Sequence, residues 1–390
     1  MNYRRFLIVL AALVEFSTVA RADLASIFTN AAPTKMAVPR RTSIIFIQYH
    51  GLAQGDLSCY GQTNYQTPNL DRLAAEGVRF TRYSGGEESP ATTAMLLSGT
   101  NSGFFAGEPN LAQRLQQSGY HTGLIGEWTF DREPWRHGFD EFAGFFTDAE
   151  AQEYYPENIW RYPHIKYDEN NRVQSRFLDH EMLYYNTGGK KGQYVPDLLV
   201  KAMDNFVRGN VPDKANHYRP FFLLVNLPAP RSAKIDADDF PVPSDAPFTG
   251  EAWPQAAKNR AALITRLDGG IGQLLEQLGK IGMTNNVAIF MSSSSAPEKF
   301  ADTNLNSFLP PDNFCSTNNP APPLPMIVRW PNTIPGGQVS SLKWTAVDFA
   351  PTALEIGYVK PATNFTGVSI LPMLRGMPGT NTPALPDREF

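Results

Sequence analysis

An α/β fold, with a mostly parallel central sheet and helices on both faces, is what the sequence predicts. Three observations carry that expectation. Short apolar, β-branched runs recur along the chain, amphipathic stretches of helical period separate them, and the composition is globular: 390 residues, 42% hydrophobic and 18% charged. The 34 basic and 38 acidic side chains leave a net charge of −4. This excludes a disordered tail, a collagen and a coiled coil. It also argues against nucleic acid as a partner, since no basic excess exists to neutralise phosphates.

Ser43-Ile44-Ile45-Phe46-Ile47 is short and fully apolar after its first residue, the pattern of a strand covered on both faces. Thr67-Pro68 opens a helix, with Pro68 in its first turn. Leu111 and Leu115 mark a second helix, ended by Gly119. Tyr120 to Ile125 is a strand, Leu198 to Val207 a helix, and Pro220 to Val225 a strand. Leu267, Ile271, Leu274, Leu275 and Leu278 fall on one helical face. Val287 to Met291 and Pro325 to Trp330 complete the strands. Alternation of this kind implies parallel pairing, and ligands then bind beyond the carboxyl ends of the strands. The segments after Ile47, Val225 and Met291 are therefore where chemistry is expected. Residues 145–195 and 295–323 are rich in Tyr, Asn and Pro and are expected to be irregular surface excursions.

The N-terminus has the form of an export signal. Arg4 and Arg5 precede the apolar run from Phe6 to Val14, and Ala20-Arg21-Ala22 offers a cleavage site. Residues 1–22 are expected to be removed and 23–40 to form a loose leader, with the domain over 41–390. The alternative is a retained N-terminal anchor. No other segment approaches the ~20 apolar residues a spanning helix needs, so an exported protein, periplasmic or extracellular, is expected. Cys59 and Cys315 can form at most one disulfide.

Generic motifs are absent: there is no phosphate loop, dinucleotide fingerprint or nucleophile elbow. None of the six histidines stands at metal-ligand spacing from another His or Cys. Ser292 to Ser295 is, by composition, a polar loop.

Longer landmarks are more specific. Gly55-Asp56-Leu57-Ser58-Cys59-Tyr60-Gly61 and the run from Thr67 to Phe80 are followed by Gly119-Tyr120, Ile125-Gly126 with Trp128, and Arg136-His137-Gly138-Phe139-Asp140. Ile327-Val328-Arg329-Trp330-Pro331, Val347 to Thr352, Gly367-Val368-Ser369 and Asp387-Arg388-Glu389-Phe390 come later. In this order they resemble the sulfatase family of the alkaline-phosphatase superfamily. The resemblance implies that fold, with the smaller C-terminal subdomain lacking because the chain ends near Phe390. An apolar face left by that subdomain would suit a protein partner or a glycan.

The resemblance also implies a chemistry, hydrolysis of sulfate esters by a formylglycine made within a C/S-x-P-x-R signature, beside a calcium ion and a cationic clamp. The residues depart from it. The nucleophile position falls on Ser89, but the signature's proline is Ala91 and its arginine Thr93. The calcium-binding positions fall on His50, Gly51, Ser293 and Ser294, with no carboxylate among them. Calcium takes 6–8 oxygen ligands, usually including carboxylates, so no cofactor is expected. The clamp's lysine is Glu127 and its histidine Thr129; only Arg231 keeps a positive charge. A carboxylate ~4 Å from a sulfate charge costs on the order of 4 kcal/mol at an effective dielectric of 20. Glu87 and Glu88, before Ser89, would add to this.

An exported sulfatase-fold protein without hydrolysis, binding a glycan or a protein partner, is therefore the leading expectation. One alternative is an active sulfuric ester hydrolase of arylsulfatase type with an altered centre, which would need calcium. The other is phosphoryl or phosphoethanolamine transfer by Ser89, Thr92 or Thr93, which would need zinc. Glu127 and Arg231 are expected to pair across the old pocket; the plainer roles are capping or loop for His50 and turn for Ser293 and Ser294.

Overall fold

Ile44, Ile45, Phe46 and Ile47 are buried in β1 (Ser43–Tyr49), near the middle of an 11-stranded sheet. The computed structural model describes residues 41–86, 89–103, 108–130, 133–170, 172–231, 240–297, 323–361 and 364–376. The export signal and leader, Glu87, Glu88, Cys315 and Asp387-Arg388-Glu389-Phe390 lie outside the described residues. The remaining strands are β2 (Val78–Ser84), β3 (His121–Glu127), β4 (Glu141–Phe145), β5 (Asn158–Tyr167), β6 (Val173–Met182), β7 (Phe221–Leu227), β8 (Val287–Ser293), β9 (Leu324–Arg329), β10 (Gln338–Ser340) and β11 (Trp344–Thr345).

The order across the sheet is β10-β2-β9-β8-β1-β7-β3-β4-β5-β6, with β11 beside β2. Its centre, β8-β1-β7-β3-β4, is parallel throughout. Strand β9 runs antiparallel to both its neighbours, and β5 and β6 form an antiparallel hairpin. The uninterrupted apolar runs now have a cause. Ile45, Ile47, Leu223 and Val225 face one core, packed by α1 (Pro68–Ala75), α5 (Val195–Gly209) and α6 (Gln255–Lys280). Ile44, Phe46, Phe222 and Leu224 face the other, packed by α2 (Ser89–Ser98), α3 (Leu111–Gln117), α7 (Phe349–Ile356) and α8 (Leu371–Arg375). Side chains alternate between faces, and here both faces are dry.

Residues 145–195 correct the expectation of an irregular excursion: they hold α4 (Asp148–Gln152) and the β5–β6 hairpin. Strand β6 is exposed over most of its length. Its ladder of hydrogen bonds holds it, and no buried face imposes an apolar alternation. Strand β2 was hidden by an irregularity between Phe80 and Tyr83, which breaks the two-residue period. Ser292 and Ser293 belong to β8 and are fully buried, not part of a polar loop. Cys59 is a free thiol, pushed up to about 12 chiefly by burial and then by the Asp71 charge.

Candidate functional site

The central parallel strands end along one edge, and most of the residues singled out in the sequence collect there. His50 follows β1, Glu127 closes β3, and Ser293 closes β8 with Ser294 next. Arg231 follows β7 after the Ala229-Pro230 turn, and Asp148 opens α4 just beyond β4. Two glycines allow these ends to approach. Gly126 has φ +105°, and a Cβ there would lie 1.9 Å from the Asn226 carbonyl oxygen. Gly51 has φ +83°, which turns the chain directly after His50.

Four charged or titratable side chains meet at this edge. His50 Nδ1 lies 3.7 Å from Glu127 Oε2. Arg231 Nη1 lies 3.1 Å from His50 Nδ1 and 3.3 Å from Nε2. Arg231 Nη2 lies 3.8 Å from Asp148 Oδ2. Glu127 is 3% exposed, so its charge depends on these neighbours. Burial pushes its carboxyl up, but hydrogen bonds from His50 and Asp148, with the charges of His50 and Arg231, outweigh burial and hold it below its ordinary value. Asp148 moves the other way. Its hydrogen bond to Glu127 raises it, and burial and the Glu127 charge add to the rise. The opposite directions make Asp148, not Glu127, the carboxyl that takes up a proton first as pH falls.

The direct Glu127–Arg231 pair expected from the sequence does not form. His50 lies within reach of both, and Asp148 contacts Arg231 on the other side. His50 is accordingly part of a charged cluster rather than a simple loop residue, although its backbone N–H does tie the strand end to the Ala229 carbonyl at 3.1 Å.

The positions that the resemblance assigns to calcium ligands are committed to other bonds. Ser293 Oγ lies 2.6 Å from the Ser295 carbonyl and 3.0 Å from the Tyr49 carbonyl, and it accepts the Leu52 N–H at 3.1 Å. Ser294 Oγ donates to the Tyr49 carbonyl at 3.1 Å. Both serines are fully buried, Gly51 offers no side chain, and His50 faces a guanidinium. Neutral hydroxyls already bonded to the backbone do not fit calcium, which needs a cage of free oxygens. Among the described residues, no group of three or more His, Cys, Asp or Glu side chains could hold a metal ion.

Ser89 opens α2 and is 4% exposed. Thr93, where the family's signature has arginine, donates to Gln48 Oε1 of β1 at 3.0 Å. Thr92 Oγ1 donates to the Ser294 carbonyl at 2.6 Å. Hydroxyls thus dock the start of α2 onto the strand ends. Thr129 is half-buried just past β3. Among the described residues no hydrogen bond or ion pair ties Ser89, Thr93 or Thr129 to the cluster.

Sequence reasoning missed Asp148, which belongs to no motif; only the fold of β4 beside β3 brings it in. It also missed a support beneath the site. Asp56 is fully buried and forms a two-pronged ion pair with Arg260 of α6, 2.8 Å on one prong. Asp56 also accepts from the Ala53 N–H at 2.8 Å and from Tyr65 at 3.3 Å. Arg260 further reaches the Gly51 carbonyl at 3.4 Å. The loop carrying Gly51 is thereby fixed from below.

The sulfatase family profile matches residues 42–357. The chain belongs to the sulfatase family. This sulfatase-family chain is similar to human N-acetylgalactosamine-6-sulfatase, with 26% identity over 372 residues, covering 86% of this chain and 66% of that protein. Its likeness to the N-acetylglucosamine-6-O-sulfatase of Bacteroides thetaiotaomicron is 24% over 414 residues, covering 86% and 71%. The solved structure of Ps i-CgsB in complex with k-i-k-neocarrahexaose aligns with a TM-score of 0.66 at 23% identity, covering 85% of this chain and 76% of that one. The chain spans about two thirds of the length of its mammalian relatives. The family's α/β fold, with its mostly parallel sheet, is the one observed.

Proposed function

We propose that this sulfatase-family protein is exported and has lost sulfate-ester hydrolysis, and that it binds glycans at the strand-end edge of its sheet. The observation that carries the reading is the His50–Glu127–Asp148–Arg231 cluster. A sulfate ester needs convergent positive charge for the oxygens that become more negative in the transition state. Here Arg231 faces an imidazole and a carboxyl group, and a buried carboxylate stands where the family's lysine belongs. The serine hydroxyls at the calcium positions, and Ala91 and Thr93 in the signature, point the same way. The export signal in residues 1–22 supports the location, and no helix among the described residues is long and apolar enough to cross a membrane.

A second reading, an active sulfuric ester hydrolase with an altered centre, draws on Ser89 at the start of α2 and on the retained Arg231. Two measurements separate them. Purified protein is expected to leave an aryl sulfate intact, with or without added calcium. The peptide holding Ser89 is expected to have its unmodified mass. Turnover that Ser89→Ala abolishes, or loss of a hydrogen pair from that peptide, would establish the second reading.

A further inference from the structure

A separate cavity of ≈ 380 Å³ is lined by Tyr155, Lys191, Val242, Asp245, Gln255 and Asn259. Its size lies within the ~300–1,000 Å³ range of small-molecule sites. Helix α5 leads into β7 and α6 into β8, so both begin at the strand-end edge of the sheet. Lys191 just precedes α5, and Gln255 opens α6. The cavity therefore lies at the same end of the sheet as the former centre, but shares no residue with the cluster.

Its lining is held in place. The Tyr155 ring packs against Tyr194 at 5.3 Å between centroids, and Tyr194 stacks on Tyr154 at 5.7 Å. Tyr194 is anchored by donating its hydroxyl to the Pro241 carbonyl at 2.9 Å. Gln255 Nε2 donates to Asp245 Oδ2 at 3.0 Å and to Asn259 Oδ1 at 2.9 Å. Those bonds align two carboxamides and a carboxylate. They leave Gln255 Oε1, Asn259 Nδ2 and the Lys191 ammonium without a hydrogen bond among the described residues. The ammonium lies 5.7 Å from the Tyr155 ring centre.

We propose that this cavity is a saccharide site that takes a pyranose ring of an oligosaccharide. A sugar presents a C–H face suited to an aromatic ring and vicinal hydroxyls that both donate and accept. Tyr155 supplies the first partner, and the Gln255 acceptor and Asn259 donor supply the second. A purely apolar ligand would strand the carboxamides. A sulfate or phosphate would meet Asp245 beside Lys191. The proposal rests on the glycan-binding reading above and gives it a location.

Calorimetric titration tests it with two probes, neutral chitohexaose and unsulfated chondroitin hexasaccharide, whose uronates can also meet Lys191. The expected result is saturable binding of at least one probe, weakened about tenfold or more by Tyr155→Ala and by Asn259→Ala, and unchanged by Glu276→Gln, at an exposed position near the far end of α6. Lys191→Met weakens the chondroitin probe alone if a uronate is recognised, and leaves chitohexaose binding intact. Circular dichroism of each variant keeps misfolding from imitating lost binding. Absence of saturable binding by either probe would overturn the proposal. So would binding that survives both cavity variants but fails in Glu127→Gln; that result would move the glycan to the former centre and leave the wider reading intact. Sulfate-ester turnover would instead sink the loss of hydrolysis without touching this cavity.

Discussion

Two ionic groups flank the loop that follows β1, and they are built differently. Below it, Asp56 and Arg260 are both buried and fork against each other, and the carboxylate also takes a backbone N–H and a tyrosine hydroxyl. Above it, Arg231, His50, Glu127 and Asp148 meet at 3.1 to 3.8 Å, with the Asp148 side chain 56% exposed. The lower pair is a fully satisfied support. The upper group is a set of mutual neutralisations at the position that the proposed reading takes for the former centre. The contrast teaches that one loop can be held by a fully buried, fully paired ion pair on one side and by a looser cluster reaching solvent through Asp148 on the other.

Substitutions should rank the two groups. Asp56→Ala removes the buried carboxylate that both prongs of the Arg260 guanidinium meet, and a cost of about 3–5 kcal/mol is expected, readable in urea denaturation. A loss below ~1 kcal/mol would mean that solvent reaches the pair. Glu127→Gln keeps the shape but removes the buried charge that faces His50, and should cost about 1–3 kcal/mol near neutral pH. Asp148→Asn touches a half-exposed carboxyl and should change stability by no more than about 0.5 kcal/mol.

The pH dependences of the two upper carboxyls have opposite signs. Glu127 is depressed in the folded state, so its contribution is full above the ordinary glutamate range and lost as pH falls through its lowered value. The stability advantage of wild type over Glu127→Gln should therefore shrink in acid. Asp148 is raised, so its contribution is present below the ordinary aspartate range and lost as pH rises through its raised value. Asp148→Asn should then gain on wild type from acid to neutral pH. Thermal melts across that window check both, and parallel curves for the two variants would contradict the opposite shifts.

Much of the fold was legible because strands such as β1, β7 and β8 are buried on both faces and so read as unbroken apolar runs. Strand β6, exposed on both sides, and β2, irregular between Phe80 and Tyr83, carry no such signal. At the site, His50, Glu127, Arg231, Ser293 and Ser294 could be placed from strand ends and family landmarks. Their partners could not. Asp148 reaches the cluster only through the lateral order of β3 and β4, and the Glu127–Arg231 pairing failed because His50 and Asp148 take up those charges. Arg260 lies on a helix far along the chain, and only tertiary packing joins it to Asp56.

Calorimetric titration of inorganic sulfate against the full chain, in wild type and in Arg231→Ala, is the most direct measurement of the central claim. A clamp whose charges are satisfied internally predicts no saturable heat in either protein. Saturable sulfate binding in wild type that disappears in Arg231→Ala would contradict it.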